Sequence, residues 1–373
     1  MKNVTYINAS AGSGKTYTLT HKLASLIGDQ KVKPEQVIMT TFTVKAASEM
    51  KEEAKRVLYE KHLFAQASQL DQALIGTIHS VANTLINKYW FFLGLSLDMG
   101  VLTDEDQQFY TSQSLSDLPT SEELNQLHAF CEEFDLQSGY KKQPVFNYDF
   151  WREDILKVIG FTTNYGITDY EHSIQESLDF LRQFVRTDVK CHFSEDELTA
   201  ALKEFQNYVE AQGDNGTNNK RKVEVSALWR GIKNPTIGWY KKFYRLMTEL
   251  KKNFPPLSLQ LREELSTLWH WPIVYEKQEA YIRLLFKLAV RWKERYSKYK
   301  KEKNLLDYND MEMYLQVLLS NENLSKEIAE EYRYLFVDEY QDCSPIQVKI
   351  FDRLSELPDA FAIDGIAMQQ ILL

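Results

Sequence analysis

The chain has 373 residues, more than one domain usually needs, and its 53 Asp and Glu outweigh 44 Lys and Arg to leave a net charge of −9; two domains, or one with a large insertion, are expected. That charge disfavours a broad electrostatic nucleic-acid surface, although a local basic groove is compatible with an acidic total. Cys131, Cys191 and Cys343 are scattered without C-x-x-C spacing, no charged-then-apolar signal opens the chain and no stretch is apolar enough to span a bilayer, so a cytoplasmic protein with reduced thiols and no membrane partner is expected.

Val4, Tyr6 and Ile7 form a short apolar run before Asn8-Ala9-Ser10-Ala11-Gly12-Ser13-Gly14-Lys15-Thr16, and Leu19, Leu23 and Leu26 follow at helical spacing. Strand, glycine loop and helix in that order make an anion cradle, because backbone N–H groups turn inward at a helix N-terminus where the dipole also favours phosphate. Lys15 then reaches the β- and γ-phosphates of ATP, and the Thr16 hydroxyl suits Mg2+. Ala9, Ser10, Ala11, Gly12, Ser13, Gly14, Lys15, Thr16 and Tyr17 are thus the candidate nucleotide site, with Ala9 where the strict P-loop pattern has Gly.

After a turn at Lys33-Pro34-Glu35, Val37-Ile38-Met39-Thr40-Thr41-Phe42 reads as a buried strand. Residues 41–47 then pass into a helix with Met50, Ala54, Val57 and Leu58 on its apolar face. Ala73-Leu74-Ile75-Gly76-Thr77-Ile78 predicts a third strand, ending at His79-Ser80 before a helical stretch over 81–92. In open α/β sheets ligands gather at the carboxyl ends of strands, so these ends are expected to share one rim.

From about 104 to 304 helical spacing with many aromatics replaces the strand runs. Ser194-Glu195-Asp196-Glu197 has the form of a capping box, 213–219 is a loop by its turn chemistry, and Pro255-Pro256 is a break. Trp229, Trp239, Trp269, Trp271 and Trp292 are assigned to core packing ahead of base stacking. Residues 281–303 predict one long helix with a basic face that includes Arg283, Lys287, Arg291, Arg295, Lys298 and Lys300. A phosphate track and a solvated charged face both fit that pattern.

Tyr334-Leu335-Phe336-Val337 is a buried-strand run ending in Asp338-Glu339-Tyr340-Gln341-Asp342. A P-loop enzyme needs such an acidic pair: Asp338 is the candidate for holding Mg2+ and Glu339 for taking a proton from attacking water. Because Lys15 and Asp338 must meet at one Mg-nucleotide, their strands belong to one sheet and the helical stretch between them is an insertion. The expected division is 1–103, first part of the nucleotide domain; 104–300, helical insertion; 301–373, second part. Leu305-Leu306-Asp307-Tyr308-Asn309-Asp310-Met311 marks the return, with Asp307 and Asp310 at capping or turn positions.

The A-S-A-G-S-G-K-T loop, T-T-F-T-V-K-A-A-S-E-M, G-T-I-H-S, L-D-Y-N-D-M and V-D-E-Y-Q-D-C-S-P-I-Q, in that order, resemble the UvrD/RecB group of superfamily 1 DNA helicases. The resemblance implies an α/β fold: a RecA-like P-loop NTPase parallel sheet flanked by helices, with a large, mainly α-helical inserted domain. It implies that Thr41, Phe42, Thr43, Lys45, Thr77 and His79 meet single-stranded DNA, and their chemistry agrees, since Phe42 offers a stacking face and the others suit sugar and phosphate. Gln341 would link the γ-phosphate to the DNA-binding surface. Gln369 aligns with a γ-phosphate-sensing glutamine, but Ile366 and Leu372 stand where the group has Asp and Tyr. A glutamine motif upstream of the loop has no room, which favours the RecB-like side.

The expected function is the N-terminal, ATP-binding half of an ATP-dependent DNA helicase or helicase-nuclease subunit in repair or recombination. ATP and Mg2+ would be its cofactors and single-stranded DNA its partner; a further candidate partner is a nuclease or helicase subunit. The second motor domain and its arginines are not in this sequence, so the chain alone is expected to be a poor ATPase. The alternative is a truncated remnant that binds nucleotide or single-stranded DNA without turnover. A P-loop small-molecule kinase leaves residues 41–47 and Gln341-Asp342 unexplained.

Overall fold

The computed structural model describes residues 5–6, 15–137, 145–213, 216–249, 255–356 and 363–365, with the backbone alone for Thr5, Tyr6, Lys15, Thr16, Asp104 and 363–365. By internal contacts the chain divides into two compact units: Met1–Tyr110, Thr163–Gly166 and Tyr296–Leu373 form the first, and Thr111–Thr162 and Ile167–Arg295 the second.

The first unit is built on parallel strands. In chain order they are β1 (Thr5–Tyr6), β2 (Val37–Thr41), β3 (Leu74–Thr77), β4 (Gly100–Val101), β5 (Leu305–Leu306), β6 (Tyr334–Val337) and β7 (Ile363–Gly365). Five of them form one sheet in the order β1-β7-β6-β2-β3, while β4 and β5 pair separately. Every pairing is parallel. Parallel strands need crossovers and are covered on both faces, and β2 is accordingly buried along its whole length.

Successive side chains of a strand point to opposite faces, and the two cores of this unit follow that alternation. Ile38 of β2 and Leu335 and Val337 of β6 enter a core with Leu85, Leu315 and Ile350. These last residues come from the helices Ile78–Tyr89, Tyr308–Ser320 and Pro345–Glu356. Val37, Met39 and Phe336 enter the opposite core with Leu23, Met50 and Leu58, carried by the helices Lys15–Gly28 and Val44–Glu60.

The chain re-enters the sheet region through a buried ionic cluster. Lys300 Nζ lies 2.8 Å from Asp307 Oδ2 and 2.6 Å from Asp310 Oδ2. Asp307 is also the N-cap of Tyr308–Ser320, forming a capping box with Asp310. Burial, together with the adjacent Asp307 charge, pushes the Asp310 carboxyl up against the pull of Lys300.

The second unit is helical, and among its described residues the β-structure is one isolated bridge between Gln137 and Phe146. Its core includes Phe205, Phe243, Trp239 and Trp271, and the expected capping box at Ser194 and Glu197 starts the helix Glu195–Glu210. Trp239 and Trp271 are core residues as expected, whereas Trp269 is half exposed. The long helix runs Pro272–Lys303, longer than the pattern suggested. Carboxylates meet its basic residues: Arg291 and Lys287 pair with buried Glu123, and Arg283 with Glu279 and Glu171. An ion-paired face describes these residues better than an open phosphate track, and Lys300 is enclosed by Asp307 and Asp310.

Two glycines of this unit give a contrast. A Cβ on Gly238 would stand 2.7 Å from Asp135 N and 3.0 Å from the Phe134 carbonyl carbon, backbone atoms that cannot swing aside, whereas one on Gly160 meets nothing within 4 Å. Gly238→Ala is expected to lower stability by about 1–3 kcal/mol. Gly160→Ala, within the helix Phe150–Asn164, should raise it by roughly 0.5–1 kcal/mol. Urea unfolding of both variants beside the wild type checks the opposite signs.

Candidate nucleotide and nucleic-acid site

The site grows from the carboxyl ends of β2, β3 and β6, which lie side by side. Thr41 pairs with Thr77 across β2 and β3, and Thr40 with Val337 across β2 and β6. The ladder continues one residue beyond β6, where Asp338 N donates to Thr40 O at 2.8 Å. Asp338 therefore sits at a defined height beside Thr41, whose hydroxyl donates to its Oδ2 at 3.5 Å.

Glu339 follows with φ 57° and ψ 38°, the left-handed conformation that costs a residue with a side chain about 1–2 kcal/mol. Strain of this sort clusters at functional positions. Here it turns the chain sharply out of the sheet into a tight loop, closed by Asp342 N to Glu339 O at 2.9 Å and Cys343 N to Tyr340 O at 3.2 Å. Gln341 donates its side-chain amide to the Glu339 carboxylate and, at 3.3 Å, to Asp342. The structure thus ties Gln341 to the proposed base.

The strand ends enclose a cavity of about 130 Å³ whose walls include Thr41, Phe42, Thr77, His79, Asp338 and Gln347. Phe42 is 63% exposed, a large ring at the rim. Thr41 is buried, so it supports Asp338 as well as walling the cavity. Thr43 and Thr77 are N-caps, accepting from Ala46 N and Ser80 N. A hydroxyl has one donor and two acceptor sites, and each cap leaves the donor for another bond. Lys45 is well exposed and meets Glu49 at 3.7 Å, a weak surface pair that leaves its ammonium recruitable.

His79 stacks on Tyr308 with ring centroids 4.4 Å apart, and its Nε2 is 3.1 Å from Glu312 Oε1. Glu312 is buried and also receives the Gln347 amide at 2.6 Å. The sequence reading missed Tyr308, Glu312 and Gln347. The Ser344-x-x-Gln347 spacing, a capping-box form, was a signal for the last; nothing local marks Glu312.

The loop residues from Ala9 to Gly14, and Gln369, lie outside the described residues; of Lys15 and Thr16 only the helical backbone is described, and Tyr17 is exposed on that helix. Among the described residues no group of three or more His, Cys, Asp or Glu could hold a metal ion. Mg2+ held with a nucleotide needs only one or two carboxylates, the phosphates and water supplying the rest, and Asp338 at the strand end fits that smaller requirement.

A family model described as the UvrD/REP helicase N-terminal domain matches residues 1–371, and the chain belongs to that family. Curated relatives are named as the A-type chain of an ATP-dependent helicase/nuclease. That of Alkaliphilus oremlandii is 23% identical over 413 residues, covering 96% of this chain and 33% of the relative. That of Clostridium novyi is 23% identical over 398 residues, covering 94% and 32%. The chain thus spans about a third of the length of the curated relatives it matches. Among the described residues no helix is long and apolar enough to cross a membrane.

Cys343 borders the cavity, and burial, reinforced by the Asp342 and Glu312 charges, pushes its thiol up to about 12. Only the thiolate reacts appreciably, so at about pH 8 native Cys343 should be alkylated far more slowly than in urea-unfolded chain. Peptide mapping after iodoacetamide treatment measures this, and equal labelling in both states would contradict it.

Proposed function

We propose that the chain is the N-terminal, ATP-binding motor part of an ATP-dependent DNA helicase or helicase-nuclease that works in DNA repair or recombination. The observation that carries this reading is the meeting of three parallel strand ends, which brings the acidic pair Asp338-Glu339 beside Thr41, Phe42, Thr77 and His79 at one cavity. On this reading the five-stranded sheet is RecA-like and residues from about 104 to 300 are an inserted helical domain. ATP is held by residues 9–17, with Lys15 on the β- and γ-phosphates and Thr16 and Asp338 holding Mg2+. The metal would supply charge neutralisation on the phosphates. Glu339 accepts a proton from the attacking water, and Gln341, bonded to it, positions that carboxylate. Gln369 is assigned to γ-phosphate sensing.

Single-stranded DNA is the proposed nucleic-acid partner, with its bases on Phe42 and its backbone on Thr43, Lys45, Thr77 and His79. A second protein of the nuclease or helicase kind as partner, and a cytoplasmic setting, go with the helicase/nuclease name of the relatives.

Two measurements test the reading. Calorimetry should show that Lys15→Ala loses most of the Mg-ATP affinity, because the substitution removes the loop's side-chain cation; equal affinities would overturn the nucleotide assignment. In fluorescence anisotropy, Phe42→Ala should weaken oligo-dT binding by about 1–3 kcal/mol, the worth of one base stacked on an aromatic. That binding should also weaken with salt through counterion release, and an unchanged affinity in the variant would count against stacking on Phe42.

A further inference from the structure

The cavity wall contains a polar chain that the proposed function does not use. We propose that Glu312 and Gln347 are positioning residues that transmit occupancy of His79 by single-stranded DNA to the acidic loop 338–343, and thereby to nucleotide binding. The inference rests on the DNA and nucleotide reading given above.

One oxygen joins the two ends of this chain. Glu312 Oε1 lies 3.1 Å from His79 Nε2 and 2.6 Å from Gln347 Nε2. A carboxylate accepts only, so both nitrogens donate to it. Glu312 is 5% exposed, and water cannot readily replace a donor that leaves. A DNA phosphate drawing the His79 N–H therefore disturbs the bond to Gln347, while Tyr308 stacked on the His79 ring limits where that ring can go.

Gln347 has little freedom to absorb such a change. Its Oε1 accepts from Ser344 N at 3.0 Å, and its own backbone N–H donates to Ser344 Oγ at 3.3 Å. The same side-chain amide thus caps the helix Pro345–Glu356 and holds Glu312. Ser344 directly follows the closed turn from Glu339 to Cys343, so a shift of the cap is a shift of that turn. Contiguity alone does not demonstrate coupling, and the decisive quantity is a change in linked affinity.

The test measures affinity of the purified full chain for a fluorescent, non-hydrolysable ATP analogue with Mg2+, with and without saturating oligo-dT. In the wild type oligo-dT should alter that affinity by a factor within about 5–150. Glu312→Leu should bind each ligand alone yet lose most of this factor, and Glu312→Gln, which keeps an acceptor oxygen, should restore much of it. His79→Ala combined with Glu312→Leu should lose no more than either alone, because both break one connection. If Glu312→Leu does not melt cooperatively by circular dichroism, Gln347→Met takes its place in the comparison. A wild type that binds both ligands without linkage, or a folded variant with wild-type linkage, overturns the relay while leaving the proposed function standing. A wild type that binds neither ligand overturns the proposed function and the relay with it.

Discussion

The pairing of β6 onto β2 is the constraint on which the rest of the first unit depends. It joins Val37–Thr41 to Tyr334–Val337, segments separated by almost the whole chain. The entropy of closing so long a loop grows only logarithmically with its length, and burial on both faces of the sheet opposes it. Register is set by that burial. A slip of one residue would turn Phe336 out of one core and Leu335 and Val337 out of the other. It would also carry Asp338 away from Thr40 and Thr41, whose two contacts hold the first residue of the acidic pair.

The second determinant is the ionic cluster at the end of the long helix. A buried ion pair survives only where its charges are closely matched and hydrogen bonded, and Lys300 meets two carboxylates at once. Those carboxylates are the capping box of Tyr308–Ser320. The cluster therefore sets where that helix begins, and so where Tyr308 and Glu312 stand relative to His79. A polar cluster remote from any expected ligand in the sequence thus orients the wall of the cavity.

Several groups at the strand ends serve two purposes. The hydroxyls of Thr43 and Thr77 cap helices with an acceptor lone pair and keep a proton to donate elsewhere. Asp338 extends a ladder through its backbone while its carboxylate lies beside Thr41. Such economy follows from the architecture: in a parallel sheet every strand leaves its carboxyl end into a turn, and the side chains of those turns converge on one edge.

Much of this edge was legible in the sequence. The apolar runs 37–41 and 334–337, each followed by polar residues of defined chemistry, identify buried strands and their ends, because burial on two faces writes itself as a continuous local pattern. The caps at Ser194 and Asp307 were legible for the same reason, since a cap and its partner are three residues apart. The strand order was not, nor was the chain from His79 through Glu312 to Gln347, whose members are 233 and 35 residues apart. Likewise the sequence shows a basic face on the long helix, but the carboxylates facing Arg291 and Lys300 decide what it does. Local spacing determines which residues share an element and a face; only the packing of distant elements determines which charge meets which, because no period in the chain encodes a neighbour brought close by folding.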